Sequence, residues 1–194
     1  MKFATWITGS VEEAGILTGD LKSVHSFSSI GLPYKTLLEY IINRKDCDLE
    51  LLNAAQIKAG KPVSEVKFQA PIPKPHHDII CLGLNYHDHS VEAAKFDIVM
   101  DEKRKESVYF SKRVVLALGP DGIIENHFDI NERLDYEAEM AIIIGKDALH
   151  IKKEDAYNYI FGICCFNDIS GRDLQNFHKQ WYFGKSLDTF TVYG

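Results

Sequence analysis

Glu137 and Glu139 stand two residues apart at the front of the run Leu134-Asp135-Tyr136-Glu137-Ala138-Glu139-Met140-Ala141-Ile142-Ile143-Ile144-Gly145. Three consecutive isoleucines closed by a glycine predict a buried β-strand. Positions i and i+2 of a strand share a face, about 7 Å apart. Two carboxylates held so close repel, and burying either without a partner is costly. A divalent cation removes both problems, and an oxygen-only ligand set favours a hard ion, Mg²⁺ or Mn²⁺. A third carboxylate, Asp168, ends the next apolar run, Tyr159 to Asn167. The competing account is an exposed acidic strand end with solvated glutamates, and spacing alone does not separate the two.

Three other groups of side chains carry chemical potential. His89 and Glu92 lie three apart on a predicted helix from about Asn85 to Phe96, so they share a face. A carboxylate on one imidazole nitrogen fixes the tautomer and leaves the other nitrogen as a base. On spacing alone, a surface His–Glu pair is the better account of them. His87 points elsewhere on that helix. Lys185 follows the aromatic stretch Trp181-Tyr182-Phe183-Gly184, where a half-buried ammonium needs an anion unless it snorkels to water. Arg172 and Gln175 are one helical turn apart just beyond Asp168; a solvent-facing Arg172, with Asp173 at the helix N-terminus, is the alternative.

Composition excludes several classes. A chain that is 45% hydrophobic and 26% charged is globular rather than disordered. Its net charge of -6 argues against nucleic acid or an anionic membrane as partner. No apolar stretch is long enough to span a bilayer, and Met1-Lys2-Phe3-Ala4-Thr5-Trp6 lacks a signal-peptide core. Cys47, Cys81, Cys164 and Cys165 show no CxxC spacing, and the last two point to opposite faces of one strand. A reducing cytoplasm and a thiolate-free metal site follow as expectations.

The elements that must position these groups fall on either side of Pro71-Ile72-Pro73-Lys74-Pro75, a stiff, extended connection. Residues 1–70 read as a small domain: a meander with turns at Gly9, Gly15 and Gly19, then two helices with apolar faces around Leu37–Ile42 and Leu49–Ile57, the second closed by Gly60. His25 is expected in a loop. Residues 71–194 open with a strand over 78–82 and the helix carrying His89. Strands at Val108–Phe110 and Val114–Leu118 are expected to pair, with a turn at Gly119–Gly122. The Glu137 strand, a short helix from Lys153 to Tyr157, the Asp168 strand and a helix from Gly171 to about Lys179 complete the order. Strands without a regular βαβ rhythm define an α+β protein.

Four blocks in order carry a resemblance: Cys81-Leu82-Gly83-Leu84-Asn85-Tyr86-His87-Asp88-His89; Glu137-x-Glu139; Asn167-Asp168-Ile169-Ser170-Gly171-Arg172-Asp173; and Gly184-Lys185-Ser186-Leu187-Asp188-Thr189-Phe190. Together they resemble the fumarylacetoacetate hydrolase family. The resemblance implies a mixed β-roll behind a small N-terminal α+β domain, with the C-terminal part of the catalytic domain missing after Gly194. It implies Glu137, Glu139 and Asp168 as ligands of Mg²⁺ or Mn²⁺, His89 and Glu92 as the dyad that activates water, and Lys185 as a charge stabiliser. Arg172 and Gln175 match positions that bind a substrate carboxylate, a bidentate task that suits arginine. Tyr109 and Lys112 match a pocket-lining segment. Leu84 and Thr191-Val192-Tyr193 depart from the family pattern at positions that shape acyl selection.

The expected activity is metal-dependent C–C hydrolysis of a small β-dicarbonyl or 2-oxo acid through an enolate. Oxaloacetate decarboxylation or keto–enol isomerisation on the same site is the alternative, and a catalytically silent binding or assembly protein is the rival from another class. The resemblance further implies a homodimer.

Overall fold

A computed structural model describes residues 1–83, Asn85 and 107–194. The predicted helix with His87, His89 and Glu92 lies outside the described residues.

Residues 3–68 form one five-stranded antiparallel sheet. β1 (Phe3–Thr8) and β2 (Val11–Leu17) make a hairpin whose turn uses Gly9 at φ +62. β3 (Ser23–Ser26), β4 (Lys61–Pro62) and β5 (Lys67–Phe68) complete the order β4-β3-β2-β1-β5. Helix α1 (Leu37–Asn43) starts at Thr36, whose hydroxyl accepts from the Glu39 amide at 3.0 Å, while the Glu39 carboxylate accepts from the Lys35 amide at 2.7 Å. That reciprocal cap satisfies amides the helix leaves free. Helix α2 (Asp48–Gln56) begins at a buried carboxylate that accepts from Tyr34 Oη at 2.7 Å, which raises the Tyr34 phenol to about 12. Both helices cover the sheet over Ile16, Phe27, Tyr40 and Leu52. Two expectations are corrected. His25 lies on β3, its ring against the Lys58 carbonyl at 3.2 Å, because the meander has a third strand. Gly60 does not close α2, whose last residue is Gln56; a Cβ on Gly60 would come within 2.5 Å of the Val24 carbonyl oxygen, so close strand approach requires the glycine.

From Ile79 onward the sheets are smaller. β6 (Ile79–Gly83) pairs with β7 (Val108–Lys112); β8 (Leu134–Asp135) pairs with β11 (Ser170–Gly171); β9 (Ala138–Ile144), β10 (Ile160–Asp168) and β12 (Thr191–Tyr193) form a third sheet in the order β12-β10-β9. Helices α3 (Arg172–His178) and α4 (Trp181–Lys185) lie between β11 and β12 in sequence. The stretch 114–118 is not a strand paired with β7. The β6 strand takes that partnership, and residues 117–118 bond instead to the Pro73 carbonyl and to β12. The Lys153–Tyr159 turn is 3-10 rather than α. The isoleucine strand, expected to be buried, is covered on one face only: Met140, Ile142 and Ile144 are exposed, while Ile143 packs towards the helical core. Phe161 joins the two parts of the chain, tilted against Phe3 and edge-on to Tyr40, with the Arg44 guanidinium 5.2 Å from its ring centroid.

Candidate active site

The two predicted carboxylate strands are antiparallel neighbours. Pairing of Phe166 with Glu139 and Asn167 with Ala138 carries the chain to Asp168, whose amide donates to the Glu137 carbonyl at 2.9 Å. Asn167 Oδ1 takes the Glu137 amide in return at 3.2 Å. Glu137 and Asp168 are therefore fixed side by side by backbone register. On β7, alternation turns Phe110 and Lys112 to the side opposite Tyr109. Helix α4 delivers Lys185 from across the site, and Gly184 makes that possible. A Cβ on Gly184 would lie 2.7 Å from the Gly171 carbonyl oxygen, so the two segments meet backbone to backbone.

The result is a network of ions. Lys185 Nζ donates to Glu137 Oε2 at 2.7 Å and to Asp168 Oδ2 at 2.8 Å. Lys112 Nζ takes the other Asp168 oxygen and the Ile169 carbonyl, the latter at 3.0 Å. Arg172 Nη2 reaches both Glu137 Oε1 and Asp135 Oδ2 at 2.7 Å, and its Nη1 donates to Gln175 Oε1 at 3.0 Å. Glu139 accepts from Asn85 Nδ2 at 3.0 Å. Lys112 and Lys185 are 0% and 2% exposed, which two ammonium groups tolerate only because each is paired. Burial pushes the Glu137 carboxyl up, but Lys185 and Arg172 outweigh it and hold the group below its ordinary value. Burial drives Lys112 down against the opposing pull of Asp168. Arg172 gains more from Asp135 and Glu137 than burial costs it. The Cys81 thiol faces the same charges and is raised to about 12, mainly by burial, so it stays neutral.

All of these side chains but Lys112, which is buried behind Asp168, line one cavity of about 1130 Å³, whose charged end holds Glu137, Glu139, Asp168, Arg172, Gln175 and Lys185. Its apolar walls come from β6, β9, Phe110 and Trp181, and Arg133, Asn176 and Lys179 add polar groups to the lining. Thus six predicted site residues are brought together. Tyr109 is not: it is 69% exposed and outside the cavity wall, and its neighbour Phe110 occupies the inward position. Asp173 turns away to bond Arg133 and its amide, leaving Arg172 free to face the carboxylates. Asp135 and Asn85 had no role in the sequence reading, and Lys112 had only a pocket-lining one. For Lys112 a signal existed, since a lysine two residues from Phe110 on an apolar strand must share its inward face.

The donor set suits a hard cation by chemistry: three carboxylates on one wall, with Asn85 Oδ1 beside Glu139 buried and, among the described residues, without a hydrogen-bond partner. Among the described residues, however, no three His, Cys, Asp or Glu side chains converge as a preformed cage. The carboxylate oxygens of Glu137 and Asp168 are instead all taken by Lys112, Arg172 and Lys185.

This fold and site define the class. Residues 78–194 match the fumarylacetoacetate hydrolase C-terminal family, and the chain belongs to it. Among curated relatives, oxaloacetate tautomerase YisK of Bacillus subtilis is 47% identical over 128 residues, covering 66% of this chain and 41% of that protein. Human mitochondrial oxaloacetate tautomerase FAHD2A is 37% identical over 136 residues, covering 69% and 40%. Among solved structures, a fumarylacetoacetate hydrolase from Exiguobacterium antarcticum superposes with a TM-score of 0.76 at 31% identity, covering 98% of this chain and 64% of that one. The chain thus spans less than two thirds of these relatives. No helix among the described residues is long and apolar enough to cross a membrane.

Proposed function

We propose that this chain acts on small 2-oxo acids by stabilising an enolate, with keto–enol tautomerisation of oxaloacetate the activity its site and relatives support best. The observation that carries it is the convergence of Arg172–Gln175 and the buried Lys185 on the charged end of one cavity. Oxaloacetate bears two carboxylates and a keto oxygen that becomes negative as the enolate forms. Arg172 presents a planar donor edge to a carboxylate, with the Gln175 amide beside it. Lys185 supplies a buried, fixed donor for the oxygen that gains charge. Tautomerisation moves a proton from carbon 3 to the keto oxygen and breaks no carbon–carbon bond. His89, oriented by Glu92, is proposed to take the carbon proton, and Lys185 to serve the oxygen. Glu137, Glu139 and Asp168 would hold Mg²⁺ or Mn²⁺, which when bound supplies a Lewis acid for the keto oxygen. Two copies per functional unit remain part of the proposal.

Hydrolysis of an acylpyruvate is the second reading, favoured by a cavity much larger than oxaloacetate and by the structural relative that is a hydrolase. There His89 would deprotonate water for attack on the distal carbonyl, and Lys185 would steady the oxyanion.

The test follows loss of the enol absorbance of oxaloacetate with Mg²⁺ present, beside acylpyruvate cleavage and CO₂ release. Enol–keto conversion should dominate, and Arg172→Gln should lower kcat/KM by about ten- to a hundredfold, the worth of a charged hydrogen bond. CO₂ release or acylpyruvate cleavage in its place selects the decarboxylase or hydrolase. A folded, metal-loaded protein that performs none of the three is a binding protein.

A further inference from the structure

A cation held by Glu137 and Asp168 would compete for oxygens that already have partners: the Lys185 ammonium lies at 2.7 and 2.8 Å from one oxygen of each, and Lys112 holds the other Asp168 oxygen from behind. The remaining oxygen of Glu137 is held by Arg172 at 2.7 Å, and Glu139 is turned onto Asn85. A dication and an ammonium cannot both sit at contact distance from the same two oxygens, because like charges so close repel. Both cations have somewhere to go. The Phe110 ring lies 5.2 Å from Lys185 Nζ, and Arg172 keeps Asp135 and Gln175 after it leaves Glu137.

We propose that Lys185 and Arg172 are resident counter-ions of the carboxylate trio, which a divalent cation displaces, and that the displaced pair then forms the site for a substrate carboxylate. This rests on the metal-binding part of the function proposed above. Its consequence is an order of addition: the metal tightens anion binding, and by linkage the anion tightens metal binding to the same degree. A lysine that merely oriented the ligands predicts the reverse, since loss of such a supporting partner weakens metal affinity about 10–100-fold.

Mn²⁺ binding, read by calorimetry and by the electron paramagnetic resonance of free Mn²⁺, separates the two. Lys185→Met should bind Mn²⁺ at least tenfold more tightly than the wild type. Arg172→Gln should also tighten it, and keeps the test open if Lys185→Met fails to fold by circular dichroism. Propionate, which has one carboxylate and cannot chelate, should bind the wild type only when Mg²⁺ is present. Weaker or unchanged Mn²⁺ binding by the folded variants, or propionate binding indifferent to Mg²⁺, overturns displacement while leaving the metal site standing. A wild-type protein that binds no Mn²⁺ removes the metal site, and the displacement with it.

Discussion

The sheet of residues 3–68 and the strands after Ile79 bury different things. In the first, the interior is aliphatic and aromatic: Phe27 stacks on Tyr40 at 4.9 Å between ring centroids and meets Tyr34 edge-on, above Ile16 and Leu52. In the second, the buried apolar cluster around Phe166 and Tyr193 is small, and among the largest fully buried side chains are Lys112 and Lys185. Hydrophobic burial is non-directional and tolerant of small shifts, whereas a buried ion stands or falls with its partners. The contrast separates a part that holds itself together from a part whose packing is given over to positioning charge.

The largest expected effect falls on the first part. Phe27→Ala removes a ring from the centre of that cluster, and a buried phenylalanine truncation costs about 3–5 kcal/mol. Denaturant unfolding should show that loss. A cost below about 1 kcal/mol would mean that the sheet is not held by this cluster, and the comparison would lose its first term.

A somewhat smaller loss is expected from Lys112→Met. It leaves Asp168 with one cation, and breaking a buried pair costs about 3–5 kcal/mol when the survivor is stranded. Because Asp168 keeps Lys185, the expected cost is about 2–3 kcal/mol, from the lower end of that range downward. Adding Asp168→Asn should recover part of it, since the stranded charge is then gone. Additive losses in that double mutant would show that Lys112 acts by packing and not by pairing.

The two parts also differ in how far the sequence disclosed them. The N-terminal strands and helices follow largely from local patterning, because the buried apolar positions such as Ile16, Phe27, Leu37 and Leu52 meet other elements of the same segment, although Ile42, Leu49, Leu51 and Ile57 are exposed. Around the site, the strand bearing Glu139 and that ending in Asp168 were readable from their apolar runs, and Arg172 and Gln175 from helical spacing. Their ionic partners were not. The Lys112–Asp168 contact spans 56 positions and the Asn85–Glu139 contact 54, and no local period encodes such meetings. The exposure of Ile142 and Ile144 was hidden for a related reason: a continuous apolar run looks the same whether one face is covered or both. Tyr109 was drawn into the pocket by a matching segment, while strand alternation favours Phe110.

Acid gives the gentlest test, and the chain carries its own reporters. Its two tryptophans are divided between the parts: Trp6 is buried in the first sheet, and Trp181 lines the cavity at 5.3 Å from the Phe110 ring. Glu137 titrates below its ordinary value of 4.5 when folded, so it binds fewer protons folded than unfolded at mildly acid pH. Its contribution to stability is complete above that ordinary value and is lost as pH falls through the depressed one. Arg172 is displaced upward from a value already far above this range, so its charge is constant across it. At the site the acid sensitivity therefore belongs to Glu137; in the first sheet burial pushes the Glu13 carboxyl up, but Lys61, Thr8 and Trp6 outweigh it, so the Trp6 reporter has an acid-sensitive neighbour of its own. Lowering the pH from 7 to 3 should change the Trp181 emission of a Trp6→Phe variant before the Trp6 emission of a Trp181→Phe variant changes. Coincident transitions would mean that the ion network and the apolar sheet unfold as one unit, with Phe161 and Arg44 binding the parts too tightly for either to yield alone.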